Sequence, residues 1–243
     1  MKSKNTGTVY LVGAGPGDPE LITVKGMKLL QKADVVVYDF LVDKELLTFA
    51  RKGAEMICVG KSSSFHTLKQ EEINELLVEK AQHHAAVVRL KNGDPFIFGR
   101  GAEEAVYLAE RKIPFEVVSG VSSAVAVPAY AGIPLTHRDH ASSLAIITGH
   151  RRNDGEVKTV NADTLVFLMP VANLERIARK LVEGGRSPET PCALIEKGTL
   201  TGQKVARGNL GNIFEISKTL GIKPPAVFVV GDVVTLRSGL GKP

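Results

Sequence analysis

The chain has 243 residues, 44% of them hydrophobic and 23% charged, with a formal net charge of +5. These values fit a folded globular protein with a sizeable core and exclude a disordered chain. No apolar run approaches the ~20 residues needed to cross a bilayer, the opening MKSKNTG has no signal-peptide core, and the positive excess is spread without a Lys/Arg block, which argues against a nucleic-acid tail and suits an anionic partner, RNA and a small polycarboxylate alike.

In chain order, β-type runs fall at Thr8–Gly13, Asp34–Tyr38, Glu55–Val59, Ala86–Leu90 and Glu116–Ser119. Helical periods fall between them, near Glu20–Lys32, Asp43–Arg51, Gln70–His83 and Ala102–Arg111. In Gln70–His83 the residues Ile73, Leu76, Leu77 and Ala81 share one face, with Glu71, Glu72, Glu75 and Lys80 polar. The alternation predicts an α/β fold with a mostly parallel sheet covered on both faces. Beyond it, strands are expected at Leu144–Thr148, Thr164–Met169, Ala193–Glu196, Gln203–Arg207 and Ala226–Val230, and helices at Asn173–Glu183 and Leu210–Lys218. Arg151–Asn161 is polar and reads as a surface loop. The turn chemistry of AGIPLTHRDHASS places the boundary between two α/β domains near residue 135, giving 1–135 and 136–243. Cys58 and Cys192 both sit in apolar runs and read as small core residues. Two distant cysteines imply neither a disulfide nor a metal site, and the expected location is the cytoplasm.

The stretch VYLVGAGPGDPELIT, residues 9–23, opens like a dinucleotide-binding domain. The fingerprint needs a third glycine where the next helix packs on the strand. Here that position is Asp18, and Gly17 comes one residue early. No G-K-[ST] follows either, so the loop suits a nucleoside ligand without a pyrophosphate better than NAD or ATP.

A second loop, KNGDPFIFGRGAEE, follows a strand and so lies at the carboxyl edge of the sheet, where open α/β folds bind ligands. Gly93 permits close backbone approach and Asp94 can accept from an amine or a hydroxyl. Phe96, Ile97 and Phe98 suit a pocket lining or a local apolar plug. Arg100 and Glu103 stand one turn apart: they fit either a clamp on a substrate carboxylate or a solvated ion pair. Asp39 ends a strand and reads as a cleft carboxylate or a turn acid; Lys61 follows the next strand and reads as a cleft cation or a loop lysine. Ser122 and Ser123 begin a small-residue helix, as an anion-holding terminus or a simple cap. His137 and His140 have no acidic or Cys partner set, and no metal site is expected.

The segments VGAGPGDPELIT, DVVVYD, RLKNGDPFIFGRGAEE, GVSSAVAVPAYAGIPLTHR, VANLERIARKL and PPAVFVVGDVV occur in the order and spacing of the tetrapyrrole methyltransferases, which the chain resembles over nearly its whole length. The resemblance implies two α/β domains with the active site in the cleft between them, and a homodimer. It implies S-adenosyl-L-methionine as cofactor, leaving as S-adenosyl-L-homocysteine. It implies C-methylation of uroporphyrinogen III at carbons 2 and 7, giving precorrin-2 for siroheme and cobalamin. A later precorrin methyltransferase, or a related methyltransferase of the same fold, is the alternative. The resemblance implies Asp39 as proton acceptor and Lys61 as proton donor, with Arg100 and Glu103 beside the substrate. It implies cofactor contacts at Pro16, Asn92, Gly93, Asp94, Ile97, Ser122, Ser123, Met169, Gly198 and Ala226. Without it, Met169 would read as core and Gly198 as a turn. Phe40, Ser62, Asn92, Ala102 and Pro170 depart from the family pattern; the first two replace arginines.

Overall fold

A computed structural model of the chain describes residues 6–60, 68–150 and 160–239. The chain divides into two compact units, Met1–Ser122 and Ser123–Pro243. The division lies upstream of residue 135. The helix after the fifth strand explains this: its Ala124 and Val127 pack with Val166 and Val229, which belong to strands of the second unit. The turn-rich stretch near residue 135 therefore runs inside the second unit.

The first unit is a five-stranded sheet in which every pairing is parallel, as the alternation predicts. Its strands are β1 (Thr8–Gly13), β2 (Val35–Tyr38), β3 (Glu55–Cys58), β4 (Ala86–Lys91) and β5 (Phe115–Val118), in the order β3-β2-β4-β1-β5. Helices α1 (Val24–Leu30) and α2 (Lys44–Thr48) cover one face, where Leu30 and Leu46 meet Val12, Val36, Val88 and Leu90. Helices α3 (Gln70–His83) and α4 (Gly101–Glu110) cover the other, where Ile73, Leu77 and Leu108 meet Val9, Leu11, Val37 and Val87. The two-residue period of the strands divides the core in this way. The expected long helix from Glu20 is split. Pro19–Leu21 forms a 3-10 turn, and Thr23 then caps α1 by accepting from the Gly26 amide at 3.1 Å.

The second unit holds β6 (Leu144–Thr148), β7 (Thr164–Leu168), β8 (Pro191–Glu196), β9 (Lys204–Asn209) and β10 (Ala226–Val230), ordered β6-β7-β10-β8-β9. Only β6 and β7 pair in parallel; the other three pairings are antiparallel. Helices α6 (Leu174–Glu183) and α7 (Ile213–Thr219) pack on one face against Leu165, Phe167, Leu194 and Phe228. Helix α5 (Ser123–Tyr130) packs on the other.

Cys192 is buried as expected, but Cys58 is exposed, because β3 is an edge strand with little cover. Burial pushes the Cys192 thiol up to about 12. A thiol reagent at about pH 8 is therefore expected to label Cys58 alone in the folded protein and both cysteines after denaturation. Equal labelling of the two in the native state would contradict the burial of β8.

Candidate active site

In the first sheet the chain leaves β1 towards β2 and leaves β4 towards β5, so both connections run inward over the adjacent β4–β1 pair. The loops that follow these strands meet instead of parting. The Gly93 amide donates to the Gly15 carbonyl at 2.7 Å, and Gly15 returns the bond at 3.3 Å. The loop after β5 closes on both. A Cβ at Gly13 would stand 2.5 Å from the Gly120 Cα, and one at Gly120 would stand 2.3 Å from the Gly93 carbonyl oxygen. Gly13 at the end of β1, Gly93 in the loop after β4 and Gly120 in the loop after β5 thus touch backbone to backbone.

Asp94 ties this cluster together. One carboxylate oxygen accepts from the Phe96 amide at 2.8 Å and the other from the Gly120 amide at 3.0 Å. The residue is half-buried, and each oxygen keeps a lone pair for a ligand. Asn92 is half-buried beside it, Pro16 and Gly93 are buried, and Ser122 is half-buried at the end of the β5 loop. Ile97, with Phe96 and Phe98, is exposed, so the three apolar residues are not a local plug.

Asp39 follows β2 at the same carboxyl edge. Its amide donates to the Leu90 carbonyl at 3.2 Å, and its carboxylate accepts from Arg89 Nη2. Arg89 lies on β4 and is almost wholly buried. Its Nε donates to Glu104 Oε1 on α4 at 3.0 Å; Lys91 Nζ reaches the same oxygen at 3.0 Å and Gln70 Nε2 reaches it at 3.3 Å. Two cations and two carboxylates thus form a charge-balanced network beneath the loops. Burial lowers the pKa of Lys91, and the neighbouring Arg89 lowers it further. Arg89, Lys91 and Glu104 escaped the reading of the sequence. The signal was present: two cations at alternate positions of a strand in a sheet covered on both faces must find buried anions.

Arg100 and Glu103 stand at the start of α4. They form an exposed pair with each other, Nε to Oε1 at 2.9 Å and Nη2 to Oε2 at 2.6 Å, with about half of each side chain in solvent. Arg100 carries a positive φ of 60°, as Phe98 does at 54°, so the turn entering α4 is strained. Phe40, in a position where an arginine was expected, is exposed. Lys61 and Ser62, and most of the 151–161 loop, lie outside the described residues.

In the second unit, β10 runs antiparallel to β7 and β8, which brings Met169, Gly198 and Ala226 to one edge of that sheet. Ala226 pairs with Glu196, and the Lys197 amide donates to the Pro225 carbonyl. Positive φ values occur there at Met169, Lys197 and Thr199. Met169 is half exposed, so it is not core. A Cβ at Gly198 would come within 2.3 Å of Val127, so that glycine is set by the approach of α5. Ser123, the first residue of α5, is half-buried.

The donor set fits S-adenosylmethionine. Within the first unit, the half-buried Asp94 carboxylate suits its amine or ribose hydroxyls, the Ser122 hydroxyl suits its carboxylate, and exposed Ile97 suits the adenosyl group. The Gly13–Gly17 loop carries no Lys or Arg that would answer a pyrophosphate. Among the described residues no group of three His, Cys, Asp or Glu is arranged for a metal ion.

The chain is similar to known proteins along its length. It is 54% identical over 237 residues to the uroporphyrinogen-III C-methyltransferase of Methanocaldococcus jannaschii, covering 95% of this chain and 98% of that one. It is 49% identical to the siroheme synthase of Hahella chejuensis, spanning 52% of that longer protein. A uroporphyrin-III C-methyltransferase from Thermus thermophilus, solved in complex with S-adenyl homocysteine, matches with a TM-score of 0.82 and 39% identity over 95% of this chain and 94% of that one. The profile of the tetrapyrrole (corrin/porphyrin) methylases matches residues 8–213, and the chain belongs to that family.

Proposed function

We propose that the protein is an S-adenosylmethionine-dependent C-methyltransferase that methylates uroporphyrinogen III at carbons 2 and 7 to give precorrin-2, for siroheme and cobalamin. The observation that carries this reading is the cluster at the carboxyl edge of the first sheet, where Gly13, Gly93, Gly120, Asp94 and Asp39 stand at the ends of adjacent parallel strands. The likeness of the whole chain to enzymes named for this reaction supports the substrate.

Pro16, Asn92, Gly93, Asp94, Ile97, Ser122, Ser123, Met169, Gly198 and Ala226 are the residues proposed to hold the cofactor. When bound, it supplies an electrophilic methyl group on a sulfonium sulfur. Asp39 takes the proton that the ring loses after methylation, and Lys61 serves as proton donor to the macrocycle as its double bonds shift, with a second ring proton leaving to solvent so that each methylation releases one net proton. A positioned carboxylate base suits this step. Arg100 and Glu103 meet the substrate: the guanidinium exchanges its exposed partner for an acetate or propionate arm, which it binds bidentately. The protein works as a cytoplasmic homodimer, without nucleic acid or membrane as partner. Among the described residues no helix is long and apolar enough to cross a membrane.

Incubation of the purified protein with S-adenosylmethionine and uroporphyrinogen III tests the reading. Mass spectrometry is expected to show two added methyl groups and release of S-adenosylhomocysteine. An unmodified tetrapyrrole would overturn it. Asp94→Ala is expected to weaken calorimetric binding of S-adenosylhomocysteine by ~1–3 kcal/mol, the cost of losing an acceptor for charge-assisted hydrogen bonds. The same change frees the Gly120 amide, so the loop after β5 loses its brace as well.

A further inference from the structure

We propose that Arg89 is a positioning residue for this reaction, holding the Asp39 carboxylate in its working place from beneath, and that Glu104 fixes Arg89 in turn. The inference rests on the reading of Asp39 as the base.

The geometry carries it. Asp39 has 31% of its side chain exposed, whereas Arg89 and Glu104 have 2% and 0%. One side of the carboxylate thus faces outward and the other is pinned by a buried cation. Every group of the guanidinium is committed. Nε goes to Glu104 Oε1 at 3.0 Å, Nη1 reaches the Val37 and Leu90 carbonyls at 3.4 Å, and Nη2 holds Asp39. The planar fork therefore fixes Asp39 relative to the backbone of β2, to β4 and to α4 at once. A lysine ammonium has the charge but not the fork, and cannot span these partners together. Glu104 is itself held by Lys91 and Gln70, while its Oε2 is buried with no hydrogen-bond partner. Such a network beneath a half-exposed carboxylate restricts its movement. A displacement of about 1 Å of a reacting group can cost ~10²-fold in rate.

The experiment is a double-mutant cycle with Arg89→Lys and Asp39→Asn, reading kcat, KM for uroporphyrinogen III, calorimetric affinity for S-adenosylhomocysteine and the thermal midpoint. Arg89→Lys is expected to lower kcat by ~10-fold or more, with cofactor affinity and KM little changed. In the Asp39→Asn background the same change is expected to matter by no more than about twofold, because coupled residues are not additive. Equal losses in both backgrounds would overturn the proposal, as would cofactor affinity falling in step with kcat. Should Arg89→Lys fail to fold, Glu104→Gln, which keeps the shape and one acceptor oxygen, takes its place. It is expected to lower kcat in the native background only; an unchanged kcat there would overturn the proposal. If Asp39→Asn alone turns over like the native enzyme, the assignment of the base fails and this inference falls with it. Additive losses alongside an inactive Asp39→Asn sink the positioning role alone.

Discussion

Asp39→Ala is expected to lower the turnover number for methylation by ~10²–10⁴-fold, the range that a positioned general base contributes. The affinity for S-adenosylhomocysteine is expected to stay within about threefold of native, because Asp39 belongs to the β2 edge and shares no bond with the Asp94 cluster. The split between the two readouts decides the role. A structural acid would lower stability and cofactor affinity together. Loss of a base lowers kcat and leaves cofactor affinity in place, and KM for the porphyrinogen moves little unless Asp39 also contacts the substrate. Because removal of Asp39 leaves Arg89 with one carboxylate partner fewer, the variant is also expected to unfold at a lower temperature. A native turnover number with a lowered melting temperature would leave Asp39 as a purely structural acid.

The strands of the first unit were legible because each is short, apolar and followed by a turn, and α3 was legible to its ends because Ile73, Leu77 and Ala81 repeat at helical spacing. The strand directions of the second sheet were not legible, because an apolar run does not record which neighbour it pairs with or in which sense. The departure of the glycine loop from the dinucleotide fingerprint was legible at Asp18. The loop's use was not, because contact among Gly13, Gly93 and Gly120 depends on the order of strands, which places residues far apart in sequence side by side. Arg100 and Glu103 were read as a clamp or an ion pair, and the chain folds them as an ion pair. The two compact units divide upstream of the expected boundary because α5 is built from small apolar residues whose partners lie on later strands. The buried network was missed for a related reason: Arg89 and Lys91 stand in a run dominated by valine and leucine, and only the facing helix shows that both point at Glu104.

Glu104→Leu is expected to destabilise the protein by ~3–5 kcal/mol, the usual cost of removing one partner from a buried ion network. That is a large share of the ~5–15 kcal/mol by which folded domains are stable. The cause is what is left behind. Arg89 and Lys91, each 2% exposed, would retain Asp39 as counter-charge, and Lys91 Nζ would lose the Glu104 oxygen to which it donates. Urea unfolding with an unchanged slope is the measurement, since the slope reports the surface exposed and only the midpoint should move. The triple change Arg89→Met, Lys91→Met and Glu104→Leu is expected to recover most of the loss, because a buried network replaced as a whole by apolar groups is often neutral. It should do so without recovering turnover, since Asp39 would then have no cation behind it. The pH dependence follows from Lys91. Its folded-state pKa already lies below the ordinary lysine value through burial, and the Glu104 carboxylate opposes this most strongly. Without Glu104 the folded-state pKa falls further, so between that value and the ordinary one the unfolded chain binds more protons than the folded one. Stability of the variant therefore rises with pH across that window, and the deficit of Glu104→Leu is expected to narrow over its lower part, up to the pKa that Lys91 holds in the native protein. A deficit that stays constant or widens over the same range would show that the buried ammonium is not what the glutamate neutralises.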